Sequence, residues 1–128
     1  GLARQARVWV ALAGLSGFMA VAAGAFGAHG AGSPAAKAWL ETGGHYQLTH
    51  AVAALACWIM TRQGLVRAQP SAWLFLGGGL IFAGSLYLRA FGGRLILGAV
   101  TPIGRLALLA GWAWLAFGAL SGGGNRAA

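Results

Sequence analysis

Acidic side chains are almost absent from the sequence, which holds no aspartate and a single glutamate, Glu41, against nine lysines and arginines. A pair of side-chain carboxylates within the chain for acid–base catalysis is therefore excluded. Charged residues make up 8% of the sequence, whereas soluble domains carry about a quarter. The basic residues are scattered among apolar runs and form no stripe, so their excess does not predict binding to nucleic acid.

Cysteine is also scarce, and the motifs of common reactions are missing. Cys57 stands alone, which excludes an internal disulfide and a thiolate cage for a metal ion. There is no G-x-S-x-G nucleophile elbow, and the run 77–79 of three glycines lacks the G-K-[ST] that ends a phosphate-binding loop. The sequence therefore predicts a protein that is not an enzyme and that carries no cofactor.

Apolar residues and glycine, in contrast, are abundant: 59% of the sequence is hydrophobic, and 23 residues are glycine. Apolar runs predict membrane-spanning helices at residues 8–28, 46–61, 72–88 and 102–120. The first run covers roughly 31 Å as a helix, about one hydrocarbon core. Short links between the runs predict one all-α domain over residues 1–128, an integral membrane four-helix bundle of up-down topology.

Local signals refine the starts and ends of these helices. Thr101 and Pro102 are predicted to be the N-cap and first residue of the fourth helix. A short additional helix is predicted at residues 34–42 of the first outer loop, because a Ser-Pro pair precedes it and Gly43-Gly44 follows it. We expect this short helix to lie at the membrane interface, with Trp39 at the level of the lipid head groups.

The first apolar run has some features of a secretory signal peptide. Arg4 and Arg7 precede it, and Ala23-Gly24-Ala25 resembles a cleavage site. The run is longer than the usual apolar region of a signal peptide, and three further runs follow it. An uncleaved membrane helix is therefore favoured.

Lysine and arginine predict the orientation. If the N-terminus is cytoplasmic, the inner segments hold five of the nine basic residues and the outer segments hold four. Basic residues favour the cytoplasmic side, so this bias predicts a multi-pass protein of the cell inner (plasma) membrane with both termini in the cytoplasm.

Glycines at intervals of seven residues predict where the helices touch. Helices in lipid associate through close packing, and a spacing of seven keeps small residues on one side of a helix. The predicted packing glycines are Gly17, Gly24, Gly77, Gly84, Gly104, Gly111 and Gly118. The expected partners are the lipid bilayer and either other membrane subunits or further copies of the chain.

Polar residues collect toward the outer, non-cytoplasmic end of the predicted bundle. The candidate polar cluster is His29, Tyr46, Gln47, His50, Ser85, Tyr87 and Thr101. Two interpretations stay open. Either the side chains pair with one another and close the bundle, because polar groups in lipid need hydrogen-bond partners, or they line a site that binds or transports a small solute, a lipid or a quinone.

A metal site is a weaker interpretation. His29, His45, His50 and Glu41 are residue types that bind zinc. However, His45 and His50 are five residues apart and point about 140° away from each other on a continuous helix. No metal is therefore predicted.

Four blocks, in order along nearly the whole chain, resemble one known family. They are GAFGAHG at 24–30, W-x-x-T-G-x-x-Y-Q-x-x-H at 39–50, FAGSLY at 82–87 and TPIG at 101–104. Together they resemble the YgdD-like family (domain of unknown function 423), small four-span inner-membrane proteins of bacteria and animals. The resemblance implies the four-helix membrane fold and supplies no established reaction, substrate or cofactor.

The residues that match these blocks include most of the candidate cluster. They are Gly24, Gly27, His29, Tyr46, Gln47, His50, Gly84, Ser85, Tyr87, Thr101, Pro102 and Gly104. Two positions depart from the family pattern: Arg105 stands where a glycine usually follows the T-P-x-G block, and His45 stands where no histidine is expected. The second departure counts against a shared three-histidine metal site. The sequence thus predicts a non-enzymatic structural or accessory membrane protein, alone or in a larger complex.

Overall fold

The part of the chain that the structure describes folds into four α-helices. The computed structural model describes residues 2–94 and 96–122, and within them the helices are α1 (Leu2–His29), α2 (Pro34–Arg62), α3 (Gln69–Ala90) and α4 (Leu97–Ser121). By length and composition, three stretches of the described chain suit a membrane span, Arg4–His29, Gln69–Ala90 and Leu97–Ser121. The predicted all-α class is confirmed. The 29 residues of α2 are also long enough to span, but polar side chains interrupt its apolar character.

Successive helices pack side by side in opposite directions. Along α1 and α2, for example, Gly17 lies beside Leu48 and Gly27 lies beside Leu40. The central helices α2 and α3 bury the most side chains, and α1 and α4 flank them. We call the end where α1 and α3 finish the His29 end, and the end where α2 and α4 finish the Arg62 end.

The separate interfacial helix predicted over residues 34–42 is instead the first part of α2. The helix starts where the Ser-Pro pair indicates, and the Ser33 hydroxyl accepts a hydrogen bond from the Ala36 amide at 3.0 Å. The helix then continues through Gly43-Gly44, so the predicted end there is wrong. Two consecutive glycines weaken an isolated helix, and this one holds because its neighbours pack against it.

At Gly43 and Gly44, α2 lies close against its neighbours on both sides. A Cβ atom on Gly43 would lie 2.7 Å from the Tyr87 ring on α3. A Cβ atom on Gly44 would lie 2.9 Å from the Ala20 carbonyl oxygen on α1, and 3.6 Å from the amide nitrogen of Gly24. The pair that resembles a helix end is therefore a packing site on both sides of α2.

The start of α4 also differs from the prediction. The helix begins at Leu97, so Pro102 lies inside it and Thr101 is not its N-cap. The missing N–H of Pro102 removes one hydrogen bond, to the carbonyl of Gly98 in the first turn. The Thr101 hydroxyl donates back to the Leu97 carbonyl oxygen at 3.0 Å, so it bonds to the preceding turn of its own helix.

An apolar core fills the half of the bundle toward the Arg62 end. Its largest members are Trp9 from α1, Phe75 from α3 and Leu108 from α4, with Cys57 from α2 buried among them. Trp9 also stacks on Trp73, with the ring centroids 6.0 Å apart. The core separates the Arg62 end from the polar residues of the other half.

The three glycines predicted on α4 lie against the preceding part of the chain. A Cβ atom on Gly104 would overlap the backbone of Phe82, and its distance to the Phe82 Cα would be 2.8 Å. A Cβ atom on Gly111 would lie 2.6 Å from the Phe75 ring, and one on Gly118 would lie 2.7 Å from Val66. At Gly104 and Gly111 a side chain would meet α3, and at Gly118 it would meet Val66 in the connection between α2 and α3, so the close packing at all three positions depends on glycine.

On α3 the close contact belongs to Gly78, not to the predicted Gly77 and Gly84. A Cβ atom on Gly78 would lie 2.9 Å from the Ala107 Cβ, whereas none on Gly77 or Gly84 would have a neighbour within 4 Å. One residue along a helix turns the direction of a side chain by about 100°. Gly77 and Gly84, seven residues apart, therefore share a face that does not meet a neighbouring helix.

Gly104→Ala is expected to destabilise the protein by about 1–3 kcal/mol, because the new methyl group meets backbone that cannot rotate away. Gly84→Ala is the matched control, since the added methyl group has open space. Alanine favours helix over glycine, so the control should be neutral or up to about 1 kcal/mol more stable. Unfolding by sodium dodecyl sulfate in mixed micelles measures both. Equal effects of the two substitutions would contradict the packing described above.

Candidate functional site

The described structure brings six of the seven predicted polar residues together between the helices, and two unpredicted residues join them. We call this set the polar network: Met19, Tyr46, Gln47, His50, Ser85, Tyr87, Thr101 and Trp112. It extends from the middle of α2 toward the His29 end. The α2 members lie near the midpoint of that helix, deeper than the predicted position in its first outer turns.

Gln47 joins α2 to α3 and α1. The Tyr87 hydroxyl donates to Gln47 Oε1 at 2.7 Å, and Gln47 Nε2 lies 3.4 Å from the Met19 sulfur, to which it donates. Gln47 is 2% exposed, so its amide has no access to water. A buried amide in lipid is costly unless partnered, and here both ends of the amide are engaged.

His50 joins α2 to α4. Its Nδ1 lies 2.7 Å from the Tyr46 carbonyl oxygen, and the Trp112 indole N–H lies 2.9 Å from its Nε2. A carbonyl oxygen only accepts and an indole N–H only donates, so Nδ1 carries the proton and Nε2 is the acceptor. The imidazole is therefore neutral, and both of its nitrogens are occupied.

Ser85 and Thr101 join α3 to α4. Their hydroxyl oxygens are 2.5 Å apart, and because the single Thr101 hydroxyl proton goes to the Leu97 carbonyl, Ser85 is the donor to Thr101. Ser85 Oγ also lies 2.8 Å from the Phe82 carbonyl oxygen, one turn back on its own helix. The two hydroxyls thus satisfy each other with help from the adjacent backbone.

Few buried polar atoms of the described residues lack a partner. The exception among side-chain nitrogens and oxygens is Trp9 Nε1, in the apolar core at the other half of the bundle. Within the polar network both imidazole nitrogens of His50 and the hydroxyls of Ser85, Tyr87 and Thr101 are paired, and Tyr46 takes part through its backbone carbonyl. Its chemistry is that of hydrogen bonds that join α1, α2, α3 and α4.

Two arginines lie beside the network at the His29 end. The Arg105 guanidinium carbon is 5.1 Å from the centroid of the Phe82 ring and 5.8 Å from that of Tyr46. The Arg89 guanidinium carbon is 4.5 Å from the centroid of the Trp39 ring. These are cation–π contacts, which hold a cation without an acidic partner.

The weak metal candidates do not meet. No three histidine, cysteine or acidic side chains in the described part of the chain are close enough to hold a metal ion. His29 and His45 are exposed, and His50 is buried in the network. Glu41 is exposed and 4.0 Å from Lys37. His29 is the one predicted cluster residue that the structure leaves outside the network.

Trp112 and Met19 were missed because their neighbours belong to other helices. A signal for Trp112 exists: it follows Thr101 by eleven residues, which is close to three turns, so both lie on the same side of α4. Met19 gives no such signal, because a thioether among apolar residues is indistinguishable from ordinary lipid-facing or core residues.

The fold and the network define a small all-α membrane protein whose polar groups lie between helices. A family model described as "Protein of unknown function (DUF423)" matches residues 23–104. The chain belongs to this family, and the resemblance found in its sequence blocks is confirmed. The match ends at Gly104, so Arg105 and Trp112 lie beyond it. No solved structure matches the chain.

Curated relatives cover most of the chain. A UPF0382 membrane protein of Haemophilus influenzae is 40% identical over 115 residues, which cover 86% of this chain and 91% of that protein. The UPF0382 inner membrane protein YgdD of Escherichia coli strain K12 is 37% identical over 119 residues, covering 89% of this chain and 90% of that protein. The names state membrane location and no activity, so the family establishes the environment of the chain and leaves its role to be argued from the site.

The Gln47–Tyr87 pair can be tested by a double-mutant cycle. Tyr87→Phe removes one hydroxyl and leaves Gln47 Oε1 without its donor, and we expect a loss of about 1–2 kcal/mol of unfolding free energy. In a Gln47→Leu background the same change should cost less, because the partner is already gone. Detergent-induced unfolding measures the four variants.

Tyr46→Phe is the matched control, since the Tyr46 hydroxyl makes no hydrogen bond within the described residues. It should leave stability within about 0.5 kcal/mol. A Tyr87→Phe effect no larger than this control would show that the pair contributes nothing.

Proposed function

We propose that the chain is a non-enzymatic structural or accessory element of the inner membrane, working alone or within a larger membrane complex. The observation that carries the proposal is the pairing of the polar network. Gln47 with Tyr87, His50 with Trp112, and Ser85 with Thr101 each satisfy one another across a helix interface. Residues that bind a substrate must give up or lack such partners, whereas residues that hold helices together need them.

The alternative is binding or transport of a small solute, lipid or quinone through the polar cluster. It requires that side chains such as Gln47, His50 and Tyr87 line an accessible cavity. Gln47 and His50 are buried, and their polar atoms already have partners within the protein. Opening a path there would break at least two interhelical hydrogen bonds, so the geometry favours the structural role.

The proposal includes four spans, with both termini in the cytoplasm. The least apolar helix, α2, packs along α1 on one side and α3 on the other, and its buried polar residues are among those paired above. A helix sheltered in this way tolerates polar residues that would be costly against lipid. The described structure holds four basic residues toward each end, so the proposed orientation rests on the sequence count of five against four, in which Arg126 lies outside the described residues.

Thiol labelling tests the path of α2. In a Cys57→Ala background, Gly32→Cys and Gln63→Cys place single thiols at the two ends of the helix. A membrane-impermeant maleimide should label Gly32→Cys in intact spheroplasts and Gln63→Cys only after lysis. Labelling of both from the same side would mean that α2 does not span, and the reverse pattern would overturn the orientation.

An accessory role also needs a surface for other membrane proteins. The flanking helices α1 and α4 turn large apolar side chains outward, including Leu15 and Phe18 on α1, and Phe117 and Leu120 on α4. Such faces suit lipid chains and apolar helices alike. They are therefore the places where a partner subunit or a second copy would bind.

Affinity isolation from native membranes in a mild detergent tests the role directly. We expect the tagged chain to be recovered in an assembly larger than one copy. A paired substitution on α4, Phe117→Ala with Leu120→Ala, compared with Leu15→Ala and Phe18→Ala on α1, should identify the contacting face. Recovery of a single copy with a tightly bound small-molecule substrate would contradict the structural role.

A further inference from the structure

A groove between α3 and α4 at the His29 end carries a second feature. It adjoins the polar network, whose Thr101 forms part of its lining. The groove has a volume of about 340 Å³, within the roughly 300–1,000 Å³ common for ligand sites. Arg89 and Arg105 line it, together with Gly98 and the apolar side chains of Leu86, Leu106 and Leu109. It therefore combines two cations with an apolar wall.

The two cations have no acidic partner within the described residues. The one carboxylate side chain of the protein, on Glu41, is near Lys37 instead. Arg89 and Arg105 lie over the Trp39 and Phe82 rings, respectively. A ring engages the flat face of a guanidinium, and the N–H groups around its edge remain able to donate to an anion.

The apolar wall continues onto the outer surface of the bundle. Leu106, which directly follows Arg105, is 64% exposed, and Leu109, about one turn beyond Arg105 on α4, is 59% exposed. In a membrane these side chains face lipid chains. A ligand that fits both parts has an anionic group for the arginines and a hydrocarbon chain for the leucines.

We propose that this groove binds one anionic phospholipid. Its phosphate lies between Arg89 and Arg105, and an acyl chain follows Leu106 and Leu109. Arginine pairs well with phosphate because its fork of N–H groups matches two phosphate oxygens. Basic pockets between membrane helices are suited to anionic head groups. A free phosphate ion would use the arginines and leave the apolar wall uncovered, so the proposal is for a lipid.

Gly98 contributes by leaving the groove open. A Cβ atom there would lie 3.5 Å from Arg89 Nη1, so a larger side chain would extend into the space that the lipid occupies. Replacing Gly98 thus blocks the groove while both charges remain. It offers a test that does not depend on changing the net charge.

Native mass spectrometry of the full chain in detergent tests the site, with phosphatidylglycerol and phosphatidylcholine of identical acyl chains as probes. The wild-type chain should bind one phosphatidylglycerol in preference to phosphatidylcholine. Arg89→Gln with Arg105→Gln should weaken phosphatidylglycerol binding by about tenfold or more, because two charge-assisted contacts are lost. Gly98→Leu should weaken it similarly.

Arg94→Gln is the matched control, since this exposed arginine lies in the loop that connects α3 and α4 and does not line the groove. It should change the affinity less than twofold. Circular dichroism and the size of the protein in detergent check that each variant is folded. If the double arginine variant does not fold, Gly98→Leu alone tests the site.

Equal affinity of the wild-type chain for the two lipids would overturn the proposal, as would an Arg94→Gln effect as large as that of the groove variants. Full displacement of the lipid by inorganic phosphate at millimolar concentration would overturn the choice of a lipid.

Discussion

The close approach of α4 to α3 is the constraint on which the rest of the structure depends. Where the two helices meet, Gly104 lies against the Phe82 backbone and Gly111 against the Phe75 ring. In a bilayer no gain from burying apolar surface draws helices together, so this contact relies on packing and hydrogen bonds. Without side chains at these two positions the helices come near enough for short polar side chains to bridge them.

Each polar pair of the network stands next to one of these small residues. Thr101 precedes Gly104 by three residues and reaches Ser85, and Trp112 directly follows Gly111 and reaches His50. The same arrangement recurs between α2 and α3, where Gly43 lies under the Tyr87 ring, one turn before Gln47. Glycine contacts set the distance between helices, and hydrogen bonds fix their register. This combination explains how a chain with one acidic residue maintains a specific arrangement in lipid.

Part of this arrangement can be predicted from the sequence. Long apolar runs predict the helices, and glycines every seven residues on α4 predict its contact face. The sequence does not show which face of α3 meets α4, because that helix is apolar on almost every side. Periodicity therefore did not distinguish Gly78, which touches α4, from Gly77, which does not. Gly43-Gly44 resembles a helix end because propensity describes an isolated segment, and the packing of α1 and α3 against it is invisible in the local sequence.

The polar residues can likewise be predicted only in part from the sequence. Their collection on one side of the bundle follows from their positions along the spans, but the partner of each depends on contacts up to 62 residues apart, such as that of Trp112 with His50. His29 lies toward the same end of the bundle in the sequence, but it makes no contact with the polar network, because α1 ends at this residue and leaves it exposed. The arginines of the groove follow no periodic pattern, and their aromatic neighbours come from other helices.

The measurement that tests the central claim most directly is nitrogen-15 NMR of His50 and Trp112 in bilayers, for the wild-type chain and for Gly111→Ala. The wild-type chain should show a neutral His50 with its proton on Nδ1 and a hydrogen bond from the Trp112 indole to Nε2. In Gly111→Ala the new methyl group displaces either α4 or the Phe75 ring, which itself packs on both His50 and Trp112, so this hydrogen bond should be lost or lengthened. An unchanged hydrogen bond in Gly111→Ala, or a His50 proton on Nε2 in the wild-type chain, would contradict the dependence of the polar pairs on close glycine contacts.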